Sequence, residues 1–233
     1  MRLLAAPACG LYLGHVAQTD GGLIVGNQAL VGHSFIGTAM TECTFDKDAY
    51  ENAAFDNVTL ANGCLEGTYF YGCSFSKSLL QSALLQNCVF EKCAFERCNL
   101  SLANITGSKF IDTTFNDSKL LGINWSNRSG IFSVNFAACM LDNNVFVDMN
   151  LNKYKFDTCT LVDASFINIK LKYAIFENCD LERCQFNNAD LSFADFSTSK
   201  NYYINATGNK LHKTVFSLPE AASLLANFDI TLK

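Results

Sequence analysis

The sequence predicts an all-β solenoid: a right-handed quadrilateral β-helix of about eight coils, with a short C-terminal α-helix. Three observations predict it. Large apolar residues recur every five positions over most of the chain, and residues of like shape recur every twenty. Proline occurs only at Pro7 and Pro219, so every residue between them can donate to a backbone ladder.

The apolar centres run in two series. The first runs from Leu30 through Phe35, Met40 and Phe45 in steps of five to Leu120, and the second from Ile131 through Phe136 and Leu141 to Phe196. Sixteen of the twenty phenylalanines are centres, far beyond chance. Two residues before each centre a small residue is favoured: Ala53, Ala83, Ala103, Ala164, Ala174, Ala189 and Ala194, with many Cys, Ser and Thr elsewhere. Alternate residues of an extended segment share a side, so the centre and the residue two before it both point inward. A period of five matches neither a helix nor plain alternation, so a corner falls in every repeat.

The number of corners per coil follows from the lags. At fifteen, Phe35, Tyr50, Leu65, Leu80 and Phe95 mix shapes. At twenty, Phe35, Phe55, Phe75, Phe95 and Phe115 match, and so do Leu60, Leu80, Leu100 and Leu120. Like stacks on like when rungs lie about 4.8 Å apart, so the coil has four sides and the tower stands about 40 Å tall.

The two series differ by one residue in phase. With Trp125 as a centre and one residue inserted before Ile131, the phenylalanine column continues through Phe136, Phe156, Phe176 and Phe196. Residues 121–130 (LGINWSNRSG, with Gly122, Asn124, Trp125, Asn127 and Arg128) therefore read as a bulge or short loop in one continuous tower. A long projecting loop is the competing reading. The predicted organisation is an irregular leader over 1–24, the solenoid over 25–200, and a linker with a capping or dimerisation helix over 201–233.

Eleven cysteines invite a metal or disulfide reading. Spacing argues against it. Cys43, Cys73, Cys88, Cys93, Cys98, Cys139, Cys159, Cys179 and Cys184 hold the small inward position, and Cys88, Cys93 and Cys98 fall on three successive sides. Stacked pairs such as Cys73 and Cys93 have parallel Cβ vectors, unsuited to a disulfide. They read as small hydrophobes, and free thiols suit a reducing cytoplasm.

The net charge of −5 argues against sequence-independent nucleic-acid binding. No apolar stretch is long enough for a membrane span. MRLLAAPACGLYLG makes a poor secretory signal, with a short apolar run broken by Pro7. No nucleophile, phosphate-loop or metal-ligand motif appears, so no enzyme activity, metal or cofactor is expected. The carboxylates sit mostly on outward positions, ten of them directly after a centre. Asp56 with Glu96, and Asp157 with Glu177, share columns and outline a sparse acidic stripe. At the C-terminus, Ser217 and Glu220 form a capping-box pattern with Pro219 in the first turn. Leu218, Ala221, Ala222, Leu224, Leu225 and Phe228 then make one apolar side of a short helix, either an intrachain cap over the open end or a dimer seam.

The small–polar–Leu/Phe–polar–polar unit, clean in NADLS and FADFS (Asn188–Ser197), resembles the pentapeptide-repeat family over about residues 30–200. LLGINW (Leu120–Trp125) and the terminal helix resemble its Qnr-type quinolone-resistance branch. That resemblance implies a homodimer joined at the C-terminus. It also implies an acidic rod that binds DNA gyrase or topoisomerase IV as a mimic of duplex DNA and protects it from quinolones or a related toxin. The other function class is a scaffold for a different protein partner, since fold alone does not fix function.

Overall fold

The computed structural model describes residues 30–31, 34–36 and 49–225. The leader 1–24, Cys43 and Phe228 lie outside them. The chain winds into a four-sided parallel β-helix of about eight coils, with a single short helix near the C-terminus. Faces are numbered here in chain order. Face 1 carries the Phe55 column, face 2 the Leu60 column, face 3 the Leu65 column and face 4 the Phe70 column.

Nearly every corner is one left-handed residue, two after the centre; those after Trp125 and Phe196 are exceptions. Asn52, Asn57, Asn62 and Gly67 turn one coil, and Asn143, Asp148, Lys153 and Thr158 turn another. Asn, Asp and Gly tolerate positive φ best, which explains their frequency there.

Face 1 is a strand in every coil. Phe35, Phe55, Phe75, Phe95 and Phe115 pair in direct register, then Phe136, Phe156 and Phe176. Their rings stack at 4.6 Å from Phe55 to Phe75 and 4.5 Å from Phe75 to Phe95. Face 2 is held by isolated bridges, from Thr59–Leu79 up to Asp180–Lys200. There the centre's carbonyl accepts from the N–H three residues on, as Leu80 does from Ala83 and Leu161 from Ala164. With positive φ on the third residue, this is the pattern of a type II turn. Phenylalanine thus marks strand faces, and leucine predominates where a hydrogen-bonded turn follows.

On strand faces the centre's carbonyl is often met by a side chain one coil above. Cys73 Sγ donates to Tyr50 O at 3.4 Å, Cys93 Sγ to Phe70 O at 3.4 Å, and Ser108 Oγ to Leu85 O at 2.7 Å. Thr113 Oγ1 does the same to Phe90 O at 2.9 Å. The inward cysteines are therefore donors as well as spacers.

The break near residue 125 is a register slip, with no long projecting loop. The lag is 20 at Phe90–Phe110, becomes 22 at Phe110–Phe132, settles at 21 from Thr113–Val134 to Asn116–Ala137 and is 20 again at Phe136–Phe156. Trp125 is fully buried, as expected of a centre, at the head of a 3-10 turn, Trp125–Asn127. Ile131 is not a centre. It is 67 % exposed, and Phe132 packs on the core in its place. The larger ring wins because it meets Trp125 at 5.5 Å and stacks on Tyr154 at 5.9 Å. Tyr154 then repairs the broken ladder: its hydroxyl accepts from Val134 N and donates to Phe132 O, both at 3.0 Å. Across the break face 4 changes from strands (Ala49–Glu51, Tyr69–Tyr71, Val89–Glu91) to turns joined by the bridges Asn150–Lys170, Lys170–Asp190 and Asp190–Lys210.

The ladder also outlasts the five-residue pattern, which predicted irregular chain after Phe196. Phe216 pairs with Phe196 and their rings stack at 5.8 Å. Tyr202 and Ile204 are buried within this last coil.

Three expectations follow. Phe95→Ala or Phe156→Ala lowers stability by about 3–5 kcal/mol in urea unfolding, whereas Cys93→Ser, which keeps a donor, costs about 1 kcal/mol or less, and Cys93→Lys yields no folded protein. Tyr154→Phe leaves the Val134 N–H and Phe132 carbonyl without their partner and costs about 1–3 kcal/mol by the same measurement. Burial raises the thiols of Cys88, Cys98 and Cys139 from 9.0 to about 11. Because the folded state holds these protons more tightly, their contribution to stability is full below pH 9 and fades as pH rises toward 11. Alkylation at pH 8 mapped by mass spectrometry accordingly modifies the half-exposed Cys64 before these three.

Candidate interaction surface

Inward positions are consumed by packing, so anything the tower recognises meets the outward columns. Asp56, Glu96, Asp157 and Glu177 all lie in one column on face 1, each directly after a phenylalanine. The sequence of that column is Ile36, Asp56, Ser76, Glu96, Asn116, Ala137, Asp157, Glu177. From Asp56 to Glu177 is six rungs, roughly 29 Å.

The column is interrupted and partly compensated. Asp56 accepts from Ser76 Oγ at 2.6 Å. Glu96 pairs with Arg97. Lys155 Nζ reaches Asp157 at 3.0 Å and also pairs with Glu177. Hydrogen bonds from Lys155 and then Thr158 hold the Asp157 carboxyl below its ordinary range. All these groups are solvent-accessible, so each pair adds little to stability.

The C-terminal helix, Leu218–Leu225, sits on the last coil. Both residues of the capping-box pattern bond to the tower. Ser217 N donates to Tyr202 Oη at 2.9 Å, and Glu220 Oε1 accepts from Asn201 N at 3.0 Å. Leu224 packs against the core. Leu218 is 90 % exposed and Leu225 37 %, while Ala221 is half-buried and Ala222 exposed.

Gly122 takes a left-handed corner beside the Leu102 side chain. Asn124 Oδ1 accepts from Ser126 N at 3.0 Å, and Asn127 O accepts from Gly107 N at 2.9 Å. Arg128 lies over the Phe132 ring at 5.3 Å and donates to Gly130 O, and burial lowers its pKa. Among the described residues no group of three or more His, Cys, Asp or Glu side chains is placed to hold a metal ion. No described helix is long and apolar enough to cross a membrane.

The corner every five residues, the twenty-residue coil and the small inward residue together define a known repeat. The family described as Pentapeptide repeats matches in eight copies, over residues 78–117 and 164–200. These segments are pentapeptide repeats. The pentapeptide-repeat register continues through the coils on either side of the matched segments. No curated protein matches the sequence. Among solved structures the chain is similar to a trypsin-treated form of QnrB1, a plasmid-mediated fluoroquinolone resistance protein, at 19 % identity and a TM-score of 0.43 over 88 % of this chain and 100 % of that one. It is also similar to HetL, a pentapeptide-repeat protein involved in heterocyst differentiation regulation in the cyanobacterium Nostoc sp. strain PCC 7120, at 18 % identity and a TM-score of 0.31 over 82 % and 85 % of the two chains.

The helix's two candidate roles separate by residue. Leu224→Glu, at the contact with the core, is expected to lower the melting temperature by several degrees. Leu218→Glu and Leu225→Glu leave the melting temperature within about a degree and, if the helix is a dimer seam, convert a dimer to a monomer in multi-angle light scattering.

Proposed function

We propose that the protein is a non-enzymatic rod that binds a protein partner through its outward columns. The observation that carries this reading is geometric. The tower fixes outward side chains at one-rung intervals on faces whose interior is fully used by packing. Such a surface suits recognition along its length, as solenoids generally do.

The finer reading is the one the Qnr-type resemblance implies. The partner is then DNA gyrase or topoisomerase IV, and a homodimer joined through the terminal helix occupies it and protects it from quinolones or a related toxin. In its support, the four carboxylates Asp56, Glu96, Asp157 and Glu177 fall in a single column. Charge density weighs against mimicry of DNA. Duplex DNA carries roughly 17 negative charges over 29 Å. This column carries four, three of them paired with Arg97 or Lys155. The second reading, a scaffold for another protein partner, rests on that shortfall.

A supercoiling and cleavage assay with gyrase, ciprofloxacin and added protein separates the two. Rescue of supercoiling that is lost in the Asp56→Lys/Glu96→Lys/Asp157→Lys/Glu177→Lys variant establishes the topoisomerase reading. Neither rescue nor inhibition at micromolar protein rejects it and leaves the scaffold.

A further inference from the structure

Face 4 changes its charge where it changes its backbone. Over residues 148–213 its outward positions and corners carry Lys153, Lys170, Lys172, Lys210 and Lys213, with His212, against the carboxylates Asp148 and Asp190. Asp190 is recessed. It accepts from Ser192 N at 3.2 Å and Ser192 Oγ at 2.7 Å, and it pairs with Lys172 at 3.5 Å. Lys170 and Lys210 are exposed, two rungs apart, and among the described residues neither has a carboxylate at ion-pair distance. In a chain of net charge −5 this is a local reversal of sign.

Two further features mark the same strip. At its corner Tyr173 and Phe193 both take left-handed backbone, with φ 59° and 61°, which bulky side chains seldom adopt. Their rings stack at 4.8 Å. Phe193 meets His212 edge-on at 5.2 Å and Lys213 Nζ at 5.7 Å, while Tyr173 stays half-exposed. At the opposite corner a trough of about 390 Å³ opens between Asn168, Lys170, Asn188, Asp190, Asn209 and Lys210. It lies beside 201–209, where the chain leaves the five-residue pattern and the Asn209 amide crosses to Phe186 O at 2.8 Å.

We propose that this strip of face 4, residues 148–213, is the docking surface for an acidic protein segment that also carries apolar side chains. Carboxylates of the segment meet the lysines, and an apolar side chain rests on Tyr173. The chemistry favours carboxylate over nucleic acid. The chain's net charge of −5 and the carboxylates Asp157 and Glu177 on the adjoining face repel a polyanion long enough to leave the strip. Tyr173 alone offers an exposed ring, since Phe193 is covered by Tyr173, His212 and Lys213, so the strip lacks the run of aromatic platforms on which successive bases stack. The inference is independent of the topoisomerase reading, which concerns face 1.

Fluorescence anisotropy with the full chain tests it. The probes are a fluorescein-labelled peptide of glutamates with phenylalanine at every fourth position, poly-L-glutamate of equal length, and an oligodeoxythymidylate of equal length. The Glu/Phe peptide is expected to bind most tightly and to weaken about tenfold or more between about 50 and 200 mM salt. Lys153→Glu/Lys170→Glu/Lys210→Glu is expected to weaken it by a further factor of about ten with an unchanged melting temperature. Tyr173→Ala is expected to weaken the Glu/Phe peptide but not poly-L-glutamate. Should the triple variant fold poorly, Lys170→Gln/Lys210→Gln replaces it, with a loss of about threefold or more expected. Binding that survives the charge substitutions, absence of peptide binding at low salt, or tighter binding of the oligonucleotide than of either peptide would each overturn the proposal.

Discussion

A right-angle corner every five residues is the constraint on which the rest of this structure depends. The corner is made by one left-handed residue two positions after nearly every inward centre. Such a residue costs an L-amino acid roughly 1 kcal/mol, least for Asn and Gly. Because the corner comes at a fixed distance from the centre, it sets which side chains point in. Because four corners close the coil, like residues return after twenty positions and stack. Stacked corners crowd one another. A Cβ at Gly72 would lie 2.4 Å from Asn52 Oδ1, and one at Gly107 2.2 Å from Asn87 Oδ1. The edge is therefore selected by its neighbour one coil below as well as by its own backbone.

Most of the fold was legible because packing imposes period and periods can be read. The Phe column, the buried Trp125 and the inward cysteines all follow from spacing. Two features were missed where the period is locally broken. Phe132 displaces Ile131 through a one-residue slip that relaxes within a strand, and column matching at a fixed lag cannot place such a slip. Its signal was Tyr154, a large polar residue at a small inward position, two before Phe156. The last coil was missed because Tyr202 and Ile204 turn inward off the five-residue beat. Leu211 and Phe216, twenty residues after Leu191 and Phe196, still kept the coil's period. The acidic column was half legible: its members could be paired by lag, but Lys155 between Asp157 and Glu177 acts through side-chain reach across rungs.

The small inward position carries more physics than size. At many strand-face centres the carbonyl accepts from a Cys, Ser or Thr side chain one coil above, as at Tyr50, Phe70, Leu85 and Phe90. On turn faces the backbone makes that bond itself, and alanine suffices, as at Ala83, Ala103 and Ala164. Ser108, Cys184 and Ser199 also stand at such turns, so a Cys or Ser is admitted after either kind of face and can gain a carbonyl partner from the strand face one coil below. This explains why so many cysteines are tolerated with no metal group among the described residues. Their thiols are buried, mostly shifted toward the protonated form, and engaged with carbonyls.

The same division of labour decides where function resides. Centres and small positions are fixed by stacking, so variation is confined to outward columns, and the columns here are not uniform in sign. Face 1 carries the carboxylates. The adjoining part of face 4, beyond the slip, carries the lysines. The two meet along the corner Lys153, Tyr173, Phe193, Lys213. Lys155, at the edge of face 1, is already spent on Asp157 and Glu177, whereas Lys170 and Lys210 on face 4 are not. A partner of uniform negative charge, like one of uniform positive charge, would be attracted by one face and repelled by the next. A partner lying across the corner must therefore match both signs. An acidic segment held to the strip on face 4 escapes that repulsion, whereas a polyelectrolyte such as duplex DNA, which cannot be confined to one face, does not.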